Sequence, residues 1–299
     1  MVALREDPRI CPLERLDRFE VLGRLGRGGM STVYLARLEG PGGFDKRVAL
    51  KVLHPRLATR PDVLELFFHE ARVGCRLSHP NVVQVLELGQ WHGLYYIVME
   101  YLEGRSLADL ATRAWRQGRP VEPRLACHVG RQVCEALHHA HEAYGADGRP
   151  LGLVHLVGSP QNLLVTVSGT VKLLDFGIAR SVGLTDSSPR CPLRGKLSYV
   201  SPEQVDGSEP DRRSDVFALG IVLWEMLAGQ PLFAGDNPLQ CLYRVSSSPV
   251  PPLPDLRQDV PPGLGQGGQG APDIVRPGQH RKQDGHHLLA VAARLHVLV

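Results

Sequence analysis

The 299-residue chain lacks several features that would set it apart from ordinary globular proteins. Its six cysteines form no C-x-x-C pair, so free thiols in a reducing compartment are expected. No stretch approaches the ~18 apolar residues that a membrane-spanning helix needs, and the N-terminus carries no apolar signal segment. A net charge of +3 gives no basis for binding nucleic acid. These absences predict a cytoplasmic protein without a membrane segment or a nucleic-acid partner.

The composition is sufficient for a sizeable core, with 43% hydrophobic and 22% charged residues. The length allows one large domain or two lobes. Residues 1–17 are polar and contain proline, which predicts a flexible leader. Residues 263–299 begin with a Gly/Pro-rich stretch without helical period, which predicts a low-complexity tail. Whether this tail is genuine or out of frame stays open.

The most informative stretch is a predicted β-hairpin, in which two short apolar runs surround a turn of Ser168 and Gly169. The amide of Asn162 precedes the hairpin, and the carboxylate of Asp175 follows it in an Asp-Phe-Gly sequence. Oxygen ligands at the two ends of one rigid hairpin could share a divalent cation. Such ligands suit Mg²⁺ that carries nucleotide phosphates.

A glycine-rich turn lies between two strand patterns near the N-terminus. Gly26, Gly28 and Gly29 would let backbone N–H groups approach a phosphate, because no Cβ stands in the way. A turn of this kind is weak evidence alone, since most glycine-rich turns are only turns. Val33 follows it and would supply an apolar surface for a base.

A single lysine, Lys51, lies in the otherwise apolar strand pattern Val-Ala-Leu-Lys-Val-Leu. Such a lysine is usually a solvated edge position, but its distance from the glycine-rich turn favours phosphate pairing. The helix predicted over Asp62–Leu77 carries Glu70, which by itself would be a surface charge.

Together these patterns resemble the protein kinase family: a glycine-rich turn, V-A-L-K, a hinge-like Met99-Glu-Tyr-Leu-Glu-Gly, and D-F-G. Through residue 235 the landmarks match bacterial eukaryotic-like (Hanks-type) serine/threonine kinases. The resemblance implies an α+β, two-lobed fold with a small β-rich N-lobe carrying one helix and a mostly helical C-lobe that lacks its last helices. The implied boundaries are a leader at 1–17, an N-lobe at 18–100, an incomplete C-lobe at 101–262 and a tail at 263–299.

The resemblance also implies ATP and Mg²⁺ as cofactors. Lys51 would pair with Glu70 on the helix, and Asn162 and Asp175 would hold the metal. Backbone groups near Glu100 and Leu102 would hydrogen-bond adenine. The implied nucleotide-binding set is Leu25, Gly26, Gly28, Gly29, Val33, Ala49, Lys51, Glu70, Glu100, Leu102 and Leu164.

The catalytic loop departs from the family pattern. Kinases have His-Arg-Asp where this chain has His155-Leu156-Val157, so an isopropyl group stands at the position of the base. No carboxylate lies between residues 152 and 174 to replace it. Ser159 stands where many such kinases have a phosphate-contacting lysine. No catalytic residue is therefore predicted to be intact, and phosphoryl transfer is expected to be weak or absent.

Three interpretations stay open: an ATP-binding pseudokinase that docks partners, a weakly active serine/threonine kinase, and a non-functional fragment without its last helices. The arginine that pairs with the Pro-Glu motif at Glu203 in kinases cannot be placed, which suggests an out-of-frame or truncated C-terminus. Neither the protein substrate or partner nor the oligomeric state can be predicted. Phosphorylation at Thr185, Ser187 or Ser188 is equally open.

Three smaller expectations follow. Asp215 is expected to brace the loop around residue 155 from below. Gly74 stands where kinases have a larger apolar residue, and the missing side chain is expected to remove packing against the region of Phe176. The cluster His138, His139 and His141 suggests a metal site, but a solvated helix end is the preferred interpretation.

Overall fold

The computed structural model describes residues 14–145, 147–156, 158–175 and 197–260. Val157, the three possible phosphorylation sites and the predicted tail therefore lie outside the described residues. The described chain falls into two compact units, residues 14–103 with Asp175, and residues 104–174 with 197–260.

The first unit is a six-stranded antiparallel sheet with one helix. Its strand order is β1-β2-β3-β4-β6-β5. The helix, α1 (Pro61–Arg76), packs against β5 and begins with proline, which is well tolerated in the first helical turn. The strands are β1 (Arg15–Leu16), β2 (Phe19–Arg27), β3 (Ser31–Gly40), β4 (Phe44–Leu53), β5 (Val85–Trp91) and β6 (Leu94–Glu100).

Strand β4 is the centre of this sheet. It pairs with β3 in unbroken register, from Ser31 opposite Leu53 to Gly40 opposite Phe44. Its last six residues are all buried, because β3 and β6 flank it. One side of the sheet packs into a core that includes Phe19, Leu50 and Tyr96. A polar side chain on the buried half of β4 therefore needs partners.

The second unit contains a three-stranded sheet and the remaining helices. Helix α5 (Arg212–Ala228) is mostly buried, as expected for a helix that is apolar on most sides. Asp211 caps its start, and Gly229 ends it in a left-handed conformation. The other elements are β7 (Gly104–Ser106), α2 (Leu107–Arg116), α3 (Pro123–His141), β8 (Leu163–Thr166), β9 (Val171–Leu173), α4 (Pro202–Val205), α6 (Pro238–Ser247) and α7 (Leu253–Leu256).

The predicted α+β, kinase-like fold class is confirmed, and β8 and β9 form the predicted hairpin, with Leu163 opposite Leu173. Two element ends differ from the sequence pattern. The apolar pattern at 82–88 predicts a strand, but β5 begins at Val85 because residues 79–82 first form a turn. The apolar spacing at 123–144 predicts a helix, but α3 ends at His141 and Tyr144 instead pairs with Pro150.

Among the described helices, none is both long enough and apolar enough to cross a membrane.

Candidate active site

Lys51 lies on the buried half of β4, and its side chain is only 7% exposed. Its ammonium donates to Glu70 on α1 and to Oδ1 of Asp175, the latter over 2.7 Å. Burial alone would lower the pKa of Lys51, but the carboxylates of Asp175 and Glu70 outweigh burial and raise it above its ordinary value. Lys51 therefore stays charged inside the unit.

Glu70 is the buried partner of this cluster, with its side chain 5% exposed. Burial raises the pKa of Glu70 to about 7; Asp175 acts in the same direction, and Lys51 opposes both. The side chain of Asp175 is 43% exposed. Two carboxylates against one ammonium leave a net negative charge when all three are ionised, and this charge would attract a cation. The donor set therefore fits a hard cation with oxygen ligands.

The close approach of α1 to β5 helps to position Glu70. A Cβ built on Gly74 would lie 2.3 Å from Cγ2 of Val85, so the helix can approach the strand this closely only with glycine there. Phe176 lies outside the described residues, so the predicted loss of packing there stays a prediction. Towards β5, Val85 fills the space beside Gly74.

The glycine-rich turn joins β2 to β3 in the same unit. Gly28 N donates to Ser31 O over 2.8 Å, which closes the turn. A Cβ on Gly26 would contact nothing within 4 Å, so the described residues leave the space beside it open. Val33 pairs directly with Lys51 in the register of β3 and β4. The turn that contains Gly28 and Gly29 therefore leads directly into β3, the strand that pairs with the lysine-bearing β4.

The remaining predicted nucleotide contacts are divided between the two units. Ala49 is buried opposite Met99 of β6. Glu100 ends β6, and its carboxylate accepts a hydrogen bond from Gln84 N over 2.9 Å. Leu25 and Leu102 lie in the first unit and Leu164 in the second, on β8.

The catalytic loop belongs to the second unit and is held by Asp215 of α5. The Asp215 carboxylate accepts from His155 N over 2.8 Å and from Leu156 N over 2.7 Å. Leu156 adopts a φ of 58°, a left-handed conformation that is uncommon for a leucine. Because Asp215 is buried and bonded to both backbone groups, it stabilises this conformation. The expected bracing role of Asp215 is confirmed.

His141 is a third partner of Asp215, with Nε2 lying 2.8 Å from Oδ2. Its side chain is 8% exposed, so the prediction of a solvated helix end is wrong for this residue. His138 is exposed as predicted. No group of three or more metal-ligating side chains is present among the described residues. His141 follows Leu137 by four positions on the apolar face of α3, and that spacing could have identified it.

Asn162 and Ser159 are both buried in the second unit, 5% and 1% exposed. Asn162 N donates to Ser159 O over 2.9 Å, and Asn162 O accepts from Leu174 N over 2.8 Å. Nε2 of His155 contacts Leu174 O at 3.0 Å, so the loop and the hairpin are joined at this end. Asn162 and Asp175 belong to different units, and their shared coordination of a metal stays a prediction.

The chain belongs to the protein kinase domain family, whose model matches residues 19–249. It is similar to the Tyrosine-protein kinase MasK of Myxococcus xanthus (strain DK1622), with 39% identity over 246 residues, 82% of this chain and 38% of the relative. It is also similar to the Serine/threonine-protein kinase PknB of Mycobacterium leprae, with 37% identity over 242 residues, 79% of this chain and 36% of the relative. A third similar protein is the Probable serine/threonine-protein kinase CPE1738 of Clostridium perfringens, with 37% identity over 249 residues, 83% of this chain and 34% of the relative. The chain thus spans little more than a third of the length of these relatives, and the kinase resemblance is confirmed at the level of the family.

Proposed function

We propose that this chain binds ATP with Mg²⁺ and transfers phosphoryl groups to protein hydroxyls weakly or not at all. The observation that carries the proposal is the buried Lys51, held between Glu70 and Asp175. A charged lysine is costly to bury for structure alone, whereas in this family it pairs with nucleotide phosphates. Glu70 would orient Lys51, and Asp175 with Asn162 would hold the metal. Bound Mg²⁺–ATP supplies the phosphoryl group and the charge that neutralises it.

The proposed weakness of transfer depends on residue 157. Proton acceptance and orientation of the hydroxyl are worth ~10²–10⁴ in rate, or about 3–5 kcal/mol, and an isopropyl group provides neither. From kinase turnover of ~1–100 s⁻¹, about 10⁻⁴–1 s⁻¹ would remain. Leu156 also replaces the arginine that reads activation-loop phosphorylation in kinases, so that switch would be disconnected.

A docking pseudokinase is favoured over a collapsed fragment because the second unit is well connected in its described part. The Glu203 carboxylate accepts a hydrogen bond from Ser214 Oγ over 2.5 Å. Arg257 donates to the carbonyls of Val121 and Leu227, over 2.8 and 3.0 Å. These contacts connect neighbouring segments to the start of α5, at Ser214, and to its end, at Leu227.

Weak residual kinase activity is the second candidate. It is supported by the Lys51 cluster and by the similarity to a tyrosine-protein kinase and to serine/threonine-protein kinases. The class of hydroxyl acceptor therefore stays open.

Nucleotide binding is tested by titrating the full chain with Mg²⁺–ATP and following its thermal unfolding. At 100 times the dissociation constant, ATP should stabilise the fold by ~2.7 kcal/mol. Lys51→Met should greatly reduce this shift, whereas Lys46→Met, on the exposed half of the same strand, should not. A folded wild type that shows no shift would contradict the proposal.

A further inference from the structure

The glycine-rich turn has little side-chain packing of its own. A Cβ on Gly26 would meet nothing within 4 Å, and one on Gly28 would meet only Ser31 O, at 3.5 Å. Glycine also has the largest backbone freedom to lose on ordering. A turn of this composition needs contacts from residues outside it to hold one conformation.

His54, immediately after β4, supplies these contacts. His54 N donates to Met30 O over 2.8 Å, at the tip of the turn. Its Nε2 lies 3.1 Å from Oγ1 of Thr32, the second residue of β3, which is 7% exposed. One residue thus contacts the turn at two points, one through the backbone and one through the side chain.

His54 is itself well anchored. Pro55 follows it and favours the extended conformation that His54 adopts, with φ −62° and ψ 130°. His54 O accepts from Leu57 N over 2.8 Å in a short 3₁₀ turn. The imidazole is therefore presented to Thr32 from a fixed backbone.

The environment favours the neutral form of this imidazole. Burial lowers the pKa of His54, the positive charges of Arg27 and Arg56 lower it further, and the backbone of Gly29 acts in the opposite direction. A neutral ring has both a donor and an acceptor nitrogen. It can therefore bond a threonine hydroxyl without placing another charge beside the turn.

We propose that His54 is a positioning residue that holds the glycine-rich turn in its phosphate-binding conformation through Thr32 and Met30. This inference rests on the proposed ATP binding and adds a residue outside the predicted nucleotide-binding set. It concerns the phosphates and not the base, because His54 reaches the turn and the strand that follows it through Met30 O and Thr32 Oγ1.

The test compares Mg²⁺–ATP with adenosine by calorimetric titration of the full chain. His54→Ala should weaken ATP binding about three- to tenfold, the range of one hydrogen bond, and leave adenosine binding within twofold. His54→Gln, whose amide can still reach a hydroxyl, should restore most of the ATP affinity. His138→Ala, an exposed histidine of α3, is the matched control and should change neither.

The Thr32–His54 contact is tested by coupling. Thr32→Val should weaken ATP binding like His54→Ala, and the double variant should be no weaker than either single one. Additive losses would overturn the inference, as would unchanged ATP affinity in His54→Ala or Thr32→Val, or an equal loss for adenosine. Thr32→Val and His54→Gln keep the test decisive if His54→Ala fails to fold. Wild type that binds neither ligand would overturn the proposed function as well, which separates the two failures.

Discussion

Lys51 and Glu70 show how single residues determine the chemistry of the first unit. Each is a buried titratable group: Glu70 is paired with Lys51, and Lys51 is paired with both Glu70 and Asp175. Removing one partner of such a pair typically costs ~3–5 kcal/mol, because the remaining charge is left buried. The pair is therefore a weak source of net stability but a strict requirement on both positions.

Glu70 should make stability depend on pH. Its folded pKa of about 7 exceeds the ordinary value of 4.5, so between these values the folded chain binds more protons than the unfolded chain. The free energy of unfolding should therefore fall as pH rises from about 4.5 to 7. Glu70→Gln should remove ~1–3 kcal/mol of this decline. Urea unfolding of both proteins at pH 5, 6 and 7.5 measures it, and equal pH slopes would refute the assignment.

Val157 is where a single substitution should restore chemistry. Val157→Asp supplies a proton acceptor, and Leu156→Arg with Val157→Asp also restores the arginine of the family pattern. We expect a gain below ~10²-fold for the single variant and a larger one for the double variant. Transfer of radiolabelled phosphate measures it, and adding Asp175→Asn to the double variant should abolish the gain. Wild type with an ordinary kinase rate would mean that another group serves as base.

At the scale of elements, the contact of α1 with β5 sets the position of Glu70. Gly74→Leu would place its side chain where Val85 already lies, so the helix must move away from the strand. We expect a loss of ~1–3 kcal/mol in the free energy of unfolding, together with weaker ATP binding because Glu70 moves with the helix. Arg76→Ala, on the exposed side of α1, is the control. Full stability in Gly74→Leu would show that the contact is not tight.

The pairing of α3 with α5 gives a second prediction at this scale. His141→Leu removes a buried partner of Asp215 and should cost ~1–3 kcal/mol. His138→Leu, on the exposed face of the same helix, should cost less than ~0.5 kcal/mol. Chemical denaturation distinguishes them. Equal effects would mean that the hydrogen bond to Asp215 contributes nothing measurable.

Local patterns predicted the elements better than their contacts. The hairpin of β8 and β9 could be predicted because both runs and the Ser-Gly turn are contiguous in sequence. The pairing of Lys51 with Glu70 followed from their order in a family pattern. The contact of Gly74 with Val85 depends on how closely a helix approaches a strand, which no local pattern contains. His141 was misjudged because three nearby histidines resemble a polar helix end, although one of them faces the apolar side.

At the scale of the whole molecule, the last described residues of the second unit, up to Val260, already pack within that unit before the predicted tail begins. Trp224 Nε1 donates to Pro251 O over 2.9 Å, and Leu253 and Val260 are both buried. Deleting residues 264–299 should therefore leave the melting temperature unchanged within error. Differential scanning calorimetry of both chains is the measurement. A drop of several degrees would show that residues 288–299 pack on the core.

In the proposed nucleotide complex, a phosphate would have to replace a carboxylate beside Lys51. Two carboxylates already compensate the charge of the Lys51 ammonium. A phosphate could therefore pair with Lys51 only if another cation replaced Lys51 as the partner of Asp175. Metal and nucleotide should consequently bind together, and each should bind weakly without the other. Ligands without charge would gain nothing from this exchange, so charge compensation at Lys51 would favour nucleotide over nucleoside in addition to the contacts of the glycine-rich turn.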